Sequence, residues 1–252
     1  MVKGYRLSER LRILPGGAAL IVPEDVLVVA DLHLGCEASL ERDGLSLPRV
    51  QTRKIREYVL GLVDSVSPSR LVVAGDLKHN FSRNLTQEWQ DVSRFVQDLS
   101  RAVPVEVVRG NHDNFLSLIL REFGIPLAGE ADVGGVRVAH GHTGVPSDAP
   151  TVIGHIHPSV SLRDGVDART KDRCFLYNES VNMLVLPALS LVASGLDVVE
   201  NADSDMSSPL LPRNGLSGFV PVSFAGGRPL RFPSVGDLRL ARLRGPSSPT
   251  IT

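Results

Sequence analysis

Short runs of β-branched and other apolar residues recur through the first half of the chain. The runs "VLVVA" (26–30), "RLVVAG" (70–75) and "PVEVVRG" (104–110) are continuous rather than alternating, which is typical of strands buried on both faces. Each run ends in glycine or is followed directly by a polar residue, so each predicted strand stops at a turn. These three runs predict the centre of a buried sheet.

Amphipathic segments separate these runs. Between Ile55 and Val66 the apolar residues recur at spacings of four, three and four, which predicts one buried helical stripe. The predicted helices cover 48–66 with Pro48 near the start, Thr86–Ala102 with Thr86 as N-cap and Glu88 in the first turn, and 114–123. Strand–helix–strand alternation predicts parallel pairing with right-handed crossovers.

The pattern changes after about residue 130. Segments such as "GGVRVAHGH", "TVIGHIH", "CFLY" and "NMLVLPA" are short, are bounded by turn residues and show no helical period. They predict a second, largely antiparallel sheet, followed by a loop over 201–218, a hairpin turning at Gly226–Gly227 and a frayed tail over 245–252. No linker divides the sequence, so we expect one domain over 1–252.

Charge and cysteine content limit the classes of protein to consider. The 252 residues carry 27 basic and 28 acidic side chains, a net charge of −1, so any nucleic-acid contact must use a local patch. Two cysteines, Cys36 and Cys174, form no disulfide framework. The longest charge-free apolar segment, Met183–Leu196, contains Pro187 and is shorter than the roughly 20 residues of a membrane span. We expect a cytoplasmic protein without a membrane partner.

The seven histidines all lie between residues 33 and 157, at or just after strand-like runs. The segments that contain them are "DLH" (31–33), "GDLKHN" (75–80), "GNHD" (110–113), "HGH" (140–142) and "GHIH" (154–157). Taken alone, "DLH" or "GD" is ordinary turn chemistry. Taken together, five such segments in one chain are not explained by turns or by core histidines.

Three of these segments follow successive predicted strands, which places Asp31, Asp76 and Asn111 at one edge of a parallel sheet. In an extended chain Asp31 and His33 share a face, as expected of two ligands to one cation. The later segments add imidazoles and no thiolate, a set that suits Mn²⁺, Fe, Zn²⁺ or Co²⁺ and argues against a structural zinc site. Two carboxylates, an amide and several imidazoles are too many for one ion and suit two.

In this order and with these gaps, the five segments resemble the calcineurin-like metallophosphoesterase superfamily over roughly Leu27–Pro158. The segments "VVADLHLG", "VVAGDLKH", "GHIHP" and "RCF…VLPALS" resemble its branch of ICC-like and DNA-ligase-associated phosphoesterases. The resemblance implies an α/β fold, a four-layer α/β/β/α sandwich with two mixed sheets and the metal site at the carboxyl ends of strands.

The resemblance also implies roles for individual residues and a cofactor of two divalent metal ions, with Mn²⁺ as the first choice and Fe, Zn²⁺ or Co²⁺ as alternatives. One ion would be held by Asp31, His33 and His157, the other by Asn111, His140 and His155, with Asp76 bridging them. His112 would be the catalytic residue and would stabilise or protonate the leaving oxygen.

Two histidines depart from the pattern of the family. The phosphoprotein-phosphatase branch has "GDxxDRG", whose second carboxylate orients the catalytic histidine, whereas this chain has His79 at that position. His112 therefore lacks its expected partner. His79 could contact the substrate phosphate or hydrogen-bond a metal ligand. His142 has no counterpart in the motif, and both a structural and a substrate-binding role are open.

These observations predict hydrolysis of a phosphodiester, nucleotide or nucleic-acid-like, by in-line attack of a metal-bridging hydroxide. A broad-specificity phosphomonoesterase is the alternative, and a non-catalytic metal-binding scaffold is a third hypothesis. A basic cluster on the first predicted helix could contact nucleic acid, or could be a solvated helix face; it consists of Arg49, Arg53, Lys54 and Arg56. Nothing in the sequence indicates the oligomeric state.

Overall fold

The structure is a computed structural model that describes residues 4–42, 44, 50–80, 86–163, 169–193, 195–200 and 208–243. The helices are α1 (Cys36–Arg42), α2 (Gln51–Val66), α3 (Thr86–Ala102), α4 (Leu116–Glu122) and α5 (Val235–Leu243). The strands are β1 (Tyr5–Arg6), β2 (Leu11–Leu14), β3 (Ala18–Ile21), β4 (Val26–Val29), β5 (Arg70–Ala74), β6 (Val105–Val108), β7 (Leu127–Ala128), β8 (Glu130–Val133), β9 (Val136–Ala139), β10 (Thr151–Ile153), β11 (Pro158–Arg163), β12 (Arg169–Arg173), β13 (Phe175–Asn178), β14 (Met183–Val185), β15 (Leu196–Asp197), β16 (Val220–Ala225) and β17 (Arg228–Arg231).

The first sheet has the strand order β1-β2-β3-β4-β5-β6-β7. Its second half is parallel from β4 to β7, as the sequence predicts, and its first half is an antiparallel meander. Val29 pairs with Val73, and Val73 pairs with Val107, so β4, β5 and β6 end at nearly the same level. The loops after these three strands therefore meet at one edge of the sheet.

The second sheet has the order β17-β16-β13-β14-β10-β9-β8. Its outer pairs are antiparallel, which confirms that part of the sequence prediction, but β10 pairs in parallel with both β9 and β14. Because β9 and β10 run the same way, the "HGH" and "GHIH" segments leave the sheet at the same edge. A small third sheet has the order β12-β11-β15.

The two large sheets pack face to face through a buried apolar core that includes Val28 and Val72 of the first sheet and Val138 and Leu184 of the second. Helices α2, α3 and α4 cover the outer face of the first sheet. The outer face of the second sheet packs against residues of β11, the segment 208–219 and Val235, the first residue of α5. The fold is an α/β sandwich with two main mixed sheets, as expected.

Several boundaries differ from the sequence prediction. Helix α3 spans the predicted range, but Thr86 is its first helical residue rather than its N-cap. Helix α5 was not predicted, because only Val235 of it is buried and it therefore shows no apolar stripe. Helix α1, seven residues long, was also not predicted. The hairpin turn at Gly226–Gly227 is confirmed.

Some predictions fall outside the described residues. These are the start of the first helix at Pro48, the basic residue Arg49, the part of the loop over 201–207 and the tail over 245–252. The described part of the loop, 208–218, contains no helix or strand, as predicted. Among the described helices, none has the length and apolar character that crossing a membrane requires.

Candidate metal centre

The two sheets bring the predicted ligands together at one edge. Asp31 follows β4, Asp76 follows β5 and Asn111 follows β6. From the second sheet, His140 follows β9, and the "GHIH" segment with His155 and His157 follows β10. Residues that are far apart in sequence thus converge because their strands end at the same edge, the place where open α/β sheets hold their sites.

Five of the seven predicted ligands have a left-handed backbone although none of them is glycine. Their φ angles are positive: Asp31 (56°), His33 (47°), Asp76 (46°), His155 (69°) and His157 (49°). The expectation that Asp31 and His33 share a face of an extended chain is therefore wrong, because β4 ends at Val29 and the chain turns at both residues. Backbone strain of this kind, of order 1–3 kcal/mol per residue, concentrates at functional sites.

Two glycines make room for ligand side chains. A Cβ atom on Gly75 would lie 2.2 Å from Nδ1 of His140, and Gly75 has a φ of 86°. A Cβ atom on Gly110 would lie 2.1 Å from Oδ1 of Asp76. Gly75 of the "GD" segment thus allows His140 of the second sheet to approach the first sheet closely. Gly110 of the "GNHD" segment allows Asp76 to approach the neighbouring loop closely.

Asp31, His33 and His157 form one close group. Nε2 of His157 lies 3.4 Å from Oδ1 of Asp31 and 3.4 Å from Nε2 of His33. All three ligand atoms lie within 4.8 Å of one another. The other carboxylate oxygen of Asp31 accepts the backbone N–H of His155, 2.9 Å away, which fixes the carboxylate and leaves Oδ1 toward the imidazoles.

Asp31, Asp76 and His140 form a second close group, and all three are buried. Oδ2 of Asp76 lies 3.5 Å from Nε2 of His140 and 3.8 Å from Nε2 of His33. Oδ1 of Asn111 lies 3.0 Å from Nε2 of His140. Within the described residues, His155 stands outside the close groups, but its ring centroid is 4.9 Å from that of His140.

Burial and charge set the protonation of these groups in the metal-free protein. Burial alone would raise the pKa of Asp31, but His157, His140 and His33 oppose it and lower the pKa to about 2. Burial, and then the charge of Asp31, raise the pKa of Asp76 to about 9. Burial lowers the pKa of His33 to about 3 and that of His155 to about 4. His33 and His155 are therefore neutral at pH 7, as metal ligands must be.

The donor atoms fit a pair of cations. Nδ1 of His140 lies 3.2 Å from the carbonyl oxygen of Ala74, which can only accept, so the ring proton sits on Nδ1 and the lone pair of Nε2 faces the centre. Within the described residues, Oδ1 of Asp31 is buried and has no hydrogen-bond donor. The ligand atoms lie 3.4–3.8 Å from one another. Metal–nitrogen bonds of about 2.0–2.1 Å place two ligand atoms of one ion about 3.3 Å apart, so the observed distances are close to those between ligands of one ion.

His112 is oriented by a backbone carbonyl. Its Nδ1 donates to the carbonyl oxygen of His79, its backbone N–H donates to Oδ1 of Asp76 at 2.9 Å, and its Nε2 lies 3.9 Å from Oδ2 of Asp76. The carbonyl takes the place of the carboxylate that the family pattern leads one to expect. The His112 ring is stacked on the His79 ring with centroids 5.7 Å apart, and His33, His79 and His112 form a third close group.

A buried ionic network supports this arrangement and was missed in the sequence. Oε1 of Glu88, on α3, accepts the backbone N–H groups of His79 at 3.0 Å and Asn80 at 2.6 Å, and Oε2 lies 3.6 Å from Nζ of Lys78. Asp113 accepts the backbone N–H groups of Gly110 at 2.8 Å and Lys78 at 3.3 Å. Because Glu88 lies in the first turn of a helix, the sequence suggested only a favourable charge at the helix start.

Gln51 supports the other side of the centre, with no sequence signal. Its Nε2 donates to the carbonyl oxygen of His33 at 3.1 Å, and its Oε1 accepts from Oγ of Ser190 and the backbone N–H of Val192, both at 3.0 Å. Cys36 is buried beside it, and burial together with Glu37 raises the thiol pKa to about 12. Cys36 is thus an unreactive packing residue.

The remaining candidates lie at the margin. His142 has its ring centroid 5.1 Å from that of His140 and 6.2 Å from that of His155. Arg53 and Arg56 of the predicted basic cluster line a cavity of about 220 Å³ that also contains Glu37 and Asp91, and Arg56 pairs with Asp98 at 2.8 Å. Acidic residues thus offset this cluster, which favours the solvated helix face.

Comparison with known proteins agrees with the fold. The family model described as calcineurin-like phosphoesterase matches residues 25–172, more than half of the chain. The nuclease MPE of Pseudomonas putida superposes with a TM-score of 0.67 at 18% identity, over 92% of this chain and 100% of that one. Yfce, a phosphoesterase from E. coli, superposes with a TM-score of 0.39 at 18% identity, over 68% of this chain and 83% of that one. None of the curated protein sequences matches the chain.

The family match spans all the histidine-containing segments, and the structure brings those segments to one buried cluster of imidazoles and carboxylates. Donor atoms of this kind bind divalent cations, which activate water and stabilise charge on a phosphoryl group. The chain belongs to the calcineurin-like phosphoesterase family and is a metal-dependent phosphoric ester hydrolase.

Proposed function

We propose that this protein hydrolyses a phosphodiester, in a nucleotide or a nucleic acid, with two divalent cations, for which Mn²⁺ is the first candidate. The residues that would hold the first ion are Asp31, His33 and His157, those for the second are Asn111, His140 and His155, and Asp76 would bridge the two. The resemblance of the sequence to ICC-like and DNA-ligase-associated phosphoesterases supports this assignment.

The position of Asp76 carries the proposal. Its Oδ2 lies between Nε2 of His33, 3.8 Å away, and Nε2 of His140, 3.5 Å away, and these imidazoles belong to different groups. Its Oδ1 is held by the backbone N–H of His112 at 2.9 Å, so the carboxylate cannot rotate freely. A shared carboxylate oxygen between two nitrogen ligands is what a pair of ions about 3.5–4 Å apart requires.

When bound, two such cations supply a water of lowered pKa and a positive charge for the non-bridging phosphoryl oxygens. The protein supplies the geometry. Asp31 and Asp76 are held by backbone N–H groups, and Gln51 holds the carbonyl oxygen of His33. Side chains fixed in this way keep their donor atoms in place without reorganisation during the reaction.

His112 would protonate the leaving oxygen from Nε2. Its Nδ1 proton is committed to the carbonyl oxygen of His79, so the second proton of the imidazolium form sits on Nε2, on the side of the metal centre. Burial lowers the pKa of His112, and the hydrogen bond to His79 raises it only in part. His79, stacked on His112, would contact the same phosphate.

Two observations support a diester over a monoester substrate. The solved protein that shares the fold over 92% of this chain is named a nuclease, an enzyme class that cleaves phosphodiesters. In addition, Nδ1 of His112 donates to a main-chain carbonyl, whereas the phosphoprotein-phosphatase branch orients this histidine with a carboxylate. A phosphomonoesterase is the alternative, and a scaffold without catalysis is disfavoured because each predicted ligand is present.

The test is hydrolysis of bis-p-nitrophenyl phosphate and of p-nitrophenyl phosphate by the manganese-loaded protein. Turnover of the diester supports the proposal, turnover of the monoester alone supports the phosphatase, and turnover of neither supports the scaffold. Asp76→Asn should abolish activity and lower the bound metal measured by elemental analysis. Asp64→Asn, an exposed residue of α2, is the matched control and should behave like wild type.

A further inference from the structure

A cavity of about 230 Å³ opens beside His140, between the carboxyl ends of the two sheets. Its lining comes from the residue after β6, from the start of β8, and from β9 with the loop that follows it. The charged or titratable residues in this lining are Arg109, Glu130, Arg137, His140 and His142.

The cavity borders the metal centre through His140. His140 belongs to the second close group and also lines the cavity. The ring centroid of His142 is 5.1 Å from that of His140, which places His142 next to the centre on the cavity side. Arg109 precedes Asn111 by two residues, on the same loop. The cavity thus lies directly beside the metal centre.

Only one of the two arginines in this lining is committed to other groups. Arg137 binds Glu130 through Nε at 2.7 Å and Nη2 at 2.6 Å, and its Nη1 donates to the carbonyl oxygen of Val145 at 2.8 Å. Arg109 is exposed, and within the described part of the chain its guanidinium has no acidic partner and no hydrogen-bond acceptor. The pairing of Glu130 with Arg137 leaves the positive charge of Arg109 uncompensated in this lining.

His142 adds a polar group to the same lining. Its Nδ1 is buried and has no hydrogen-bond partner among the described residues. A buried polar atom of this kind costs free energy unless a ligand or water pairs with it. The cavity thus combines the guanidinium donors of Arg109 with an imidazole nitrogen of His142 that has no hydrogen-bond partner among the described residues.

We propose that this cavity binds the phosphate adjacent to the scissile one, with Arg109 as the residue that recognises it, so that the substrate is a polynucleotide with at least two backbone phosphates. The inference rests on the proposed phosphodiesterase function and narrows its substrate class. A guanidinium matches a phosphate with two parallel hydrogen bonds, and a backbone phosphate is a monoanion that needs one such partner. Contacts of this kind position a strand without reading its sequence.

The experiment compares a short oligothymidylate with bis-p-nitrophenyl phosphate, which has no second phosphate, using the manganese-loaded protein. Arg109→Gln should lower the ratio of kcat/KM for the oligothymidylate to kcat/KM for bis-p-nitrophenyl phosphate by about five- to tenfold. The matched control is Arg228→Gln, an exposed arginine of β17 at the opposite edge of the second sheet, which should leave the ratio unchanged.

Binding provides a second readout. Stopped-flow anisotropy of a fluorescein-labelled oligothymidylate records association before turnover, and its dependence on salt counts phosphate contacts. Arg109→Gln should weaken binding and reduce the slope of log K against log salt by about 0.7, the value for one contact to a single strand.

An unchanged ratio and slope in Arg109→Gln would overturn the inference while the proposed function stands. An equal loss on both substrates would also overturn it, because Arg109 would then act on the reacting phosphate or on the fold. If wild-type protein hydrolyses neither substrate, the proposed function fails, and the inference fails with it.

Discussion

The carbonyl oxygen of His79 accepts the Nδ1 proton of His112, so a main-chain group orients the predicted catalytic imidazole. A carboxylate in this position would stabilise the imidazolium by its full charge, whereas a carbonyl offers only a dipole. His112 is therefore held in the right tautomer but is a weaker base than a histidine paired with a carboxylate. The loop that carries His79 is fixed in turn by Glu88, which accepts the backbone N–H of His79.

The leaving group should decide how much His112 matters. p-Nitrophenolate leaves without protonation, but the sugar oxygen of a nucleic acid does not. His112→Asn should lower kcat for an oligothymidylate by about 10²- to 10⁴-fold, the usual contribution of a general acid, and kcat for bis-p-nitrophenyl phosphate by less than about tenfold. Steady-state rates at saturating manganese measure both. Equal losses on the two substrates would show that His112 does not supply the proton.

Removing the charge of Glu88 should disturb the centre from a distance. Glu88 and Lys78 are both fully buried, so Glu88→Gln leaves a buried ammonium without its counter-charge while keeping an acceptor for the two N–H groups. We expect a loss of about 1–3 kcal/mol in stability and a fall in melting temperature of roughly 2–10 °C. We also expect kcat to fall more for the oligothymidylate than for bis-p-nitrophenyl phosphate.

Calorimetry and the two-substrate assay check this prediction. Glu57→Gln, an exposed residue of α2, is the control and should melt within about 2 °C of wild type. A stable Glu88→Gln variant with normal rates on both substrates would contradict the role given to the network.

Metal affinity should rise with pH. Because the pKa of Asp76 is raised to about 9 in the metal-free protein, the stability that its proton contributes is complete below the unfolded pKa near 3.8 and is lost as pH rises toward and through 9. Between pH 6.5 and 8.5 the metal-free protein should therefore lose up to about 1.4 kcal/mol of stability per pH unit. At lower pH the opposite contributions of His33 and His155, whose folded pKa values are lowered, offset this trend.

The measurement is the difference in melting temperature between manganese-loaded and chelator-treated protein, which should widen from pH 6.5 to 8.5. Asp76→Asn cannot release this proton, so the chelator-treated variant should show a flat profile over the same range. Titration calorimetry in buffers of different ionisation enthalpy should detect about one proton released on loading. A pH-independent difference in the wild type would refute the assigned protonation of Asp76.

Filling the space at Gly110 should disable the centre without removing a ligand. The added Cβ of Gly110→Ala would lie 2.1 Å from Oδ1 of Asp76 and must displace that side chain. We expect at least a 100-fold loss of activity, since a shift of about 1 Å is costly in a preorganised site. Gly61→Ala on α2 meets nothing within 4 Å and should retain activity with about 0.5–1 kcal/mol more stability. Normal metal content and rates in Gly110→Ala would contradict this reading.

Sequence reasoning located the centre because strand ends are visible in a sequence. The apolar runs before Asp31, Asp76 and Asn111 mark three parallel strands, and parallel strands present their carboxyl ends at one edge. The range of α3 could be predicted because one face of that helix is buried, whereas α5, with only Val235 buried, carries no such signal.

The supporting residues could not be predicted in the same way. Glu88 and Gln51 act through side chains that reach backbone groups of other segments, and this depends on packing rather than on local pattern. The left-handed backbone at Asp31 and His33 is equally hidden, because the local preference of these residues is for other conformations. Here tertiary contacts override local propensity. For that reason the prediction that Asp31 and His33 share a face of an extended chain was wrong.

The left-handed residues of the centre have a consequence for attempts to transplant it. A peptide that copies "DLH" or "GHIH" will not adopt these angles, since the chain reaches them only where neighbouring segments clamp it. Grafting the motif onto another scaffold therefore requires copying the sheet edge and its glycine gaps along with the ligands. Conversely, because backbone N–H groups hold Asp31 and Asp76, we expect one metal to exchange for another without refolding of the loops that carry these ligands.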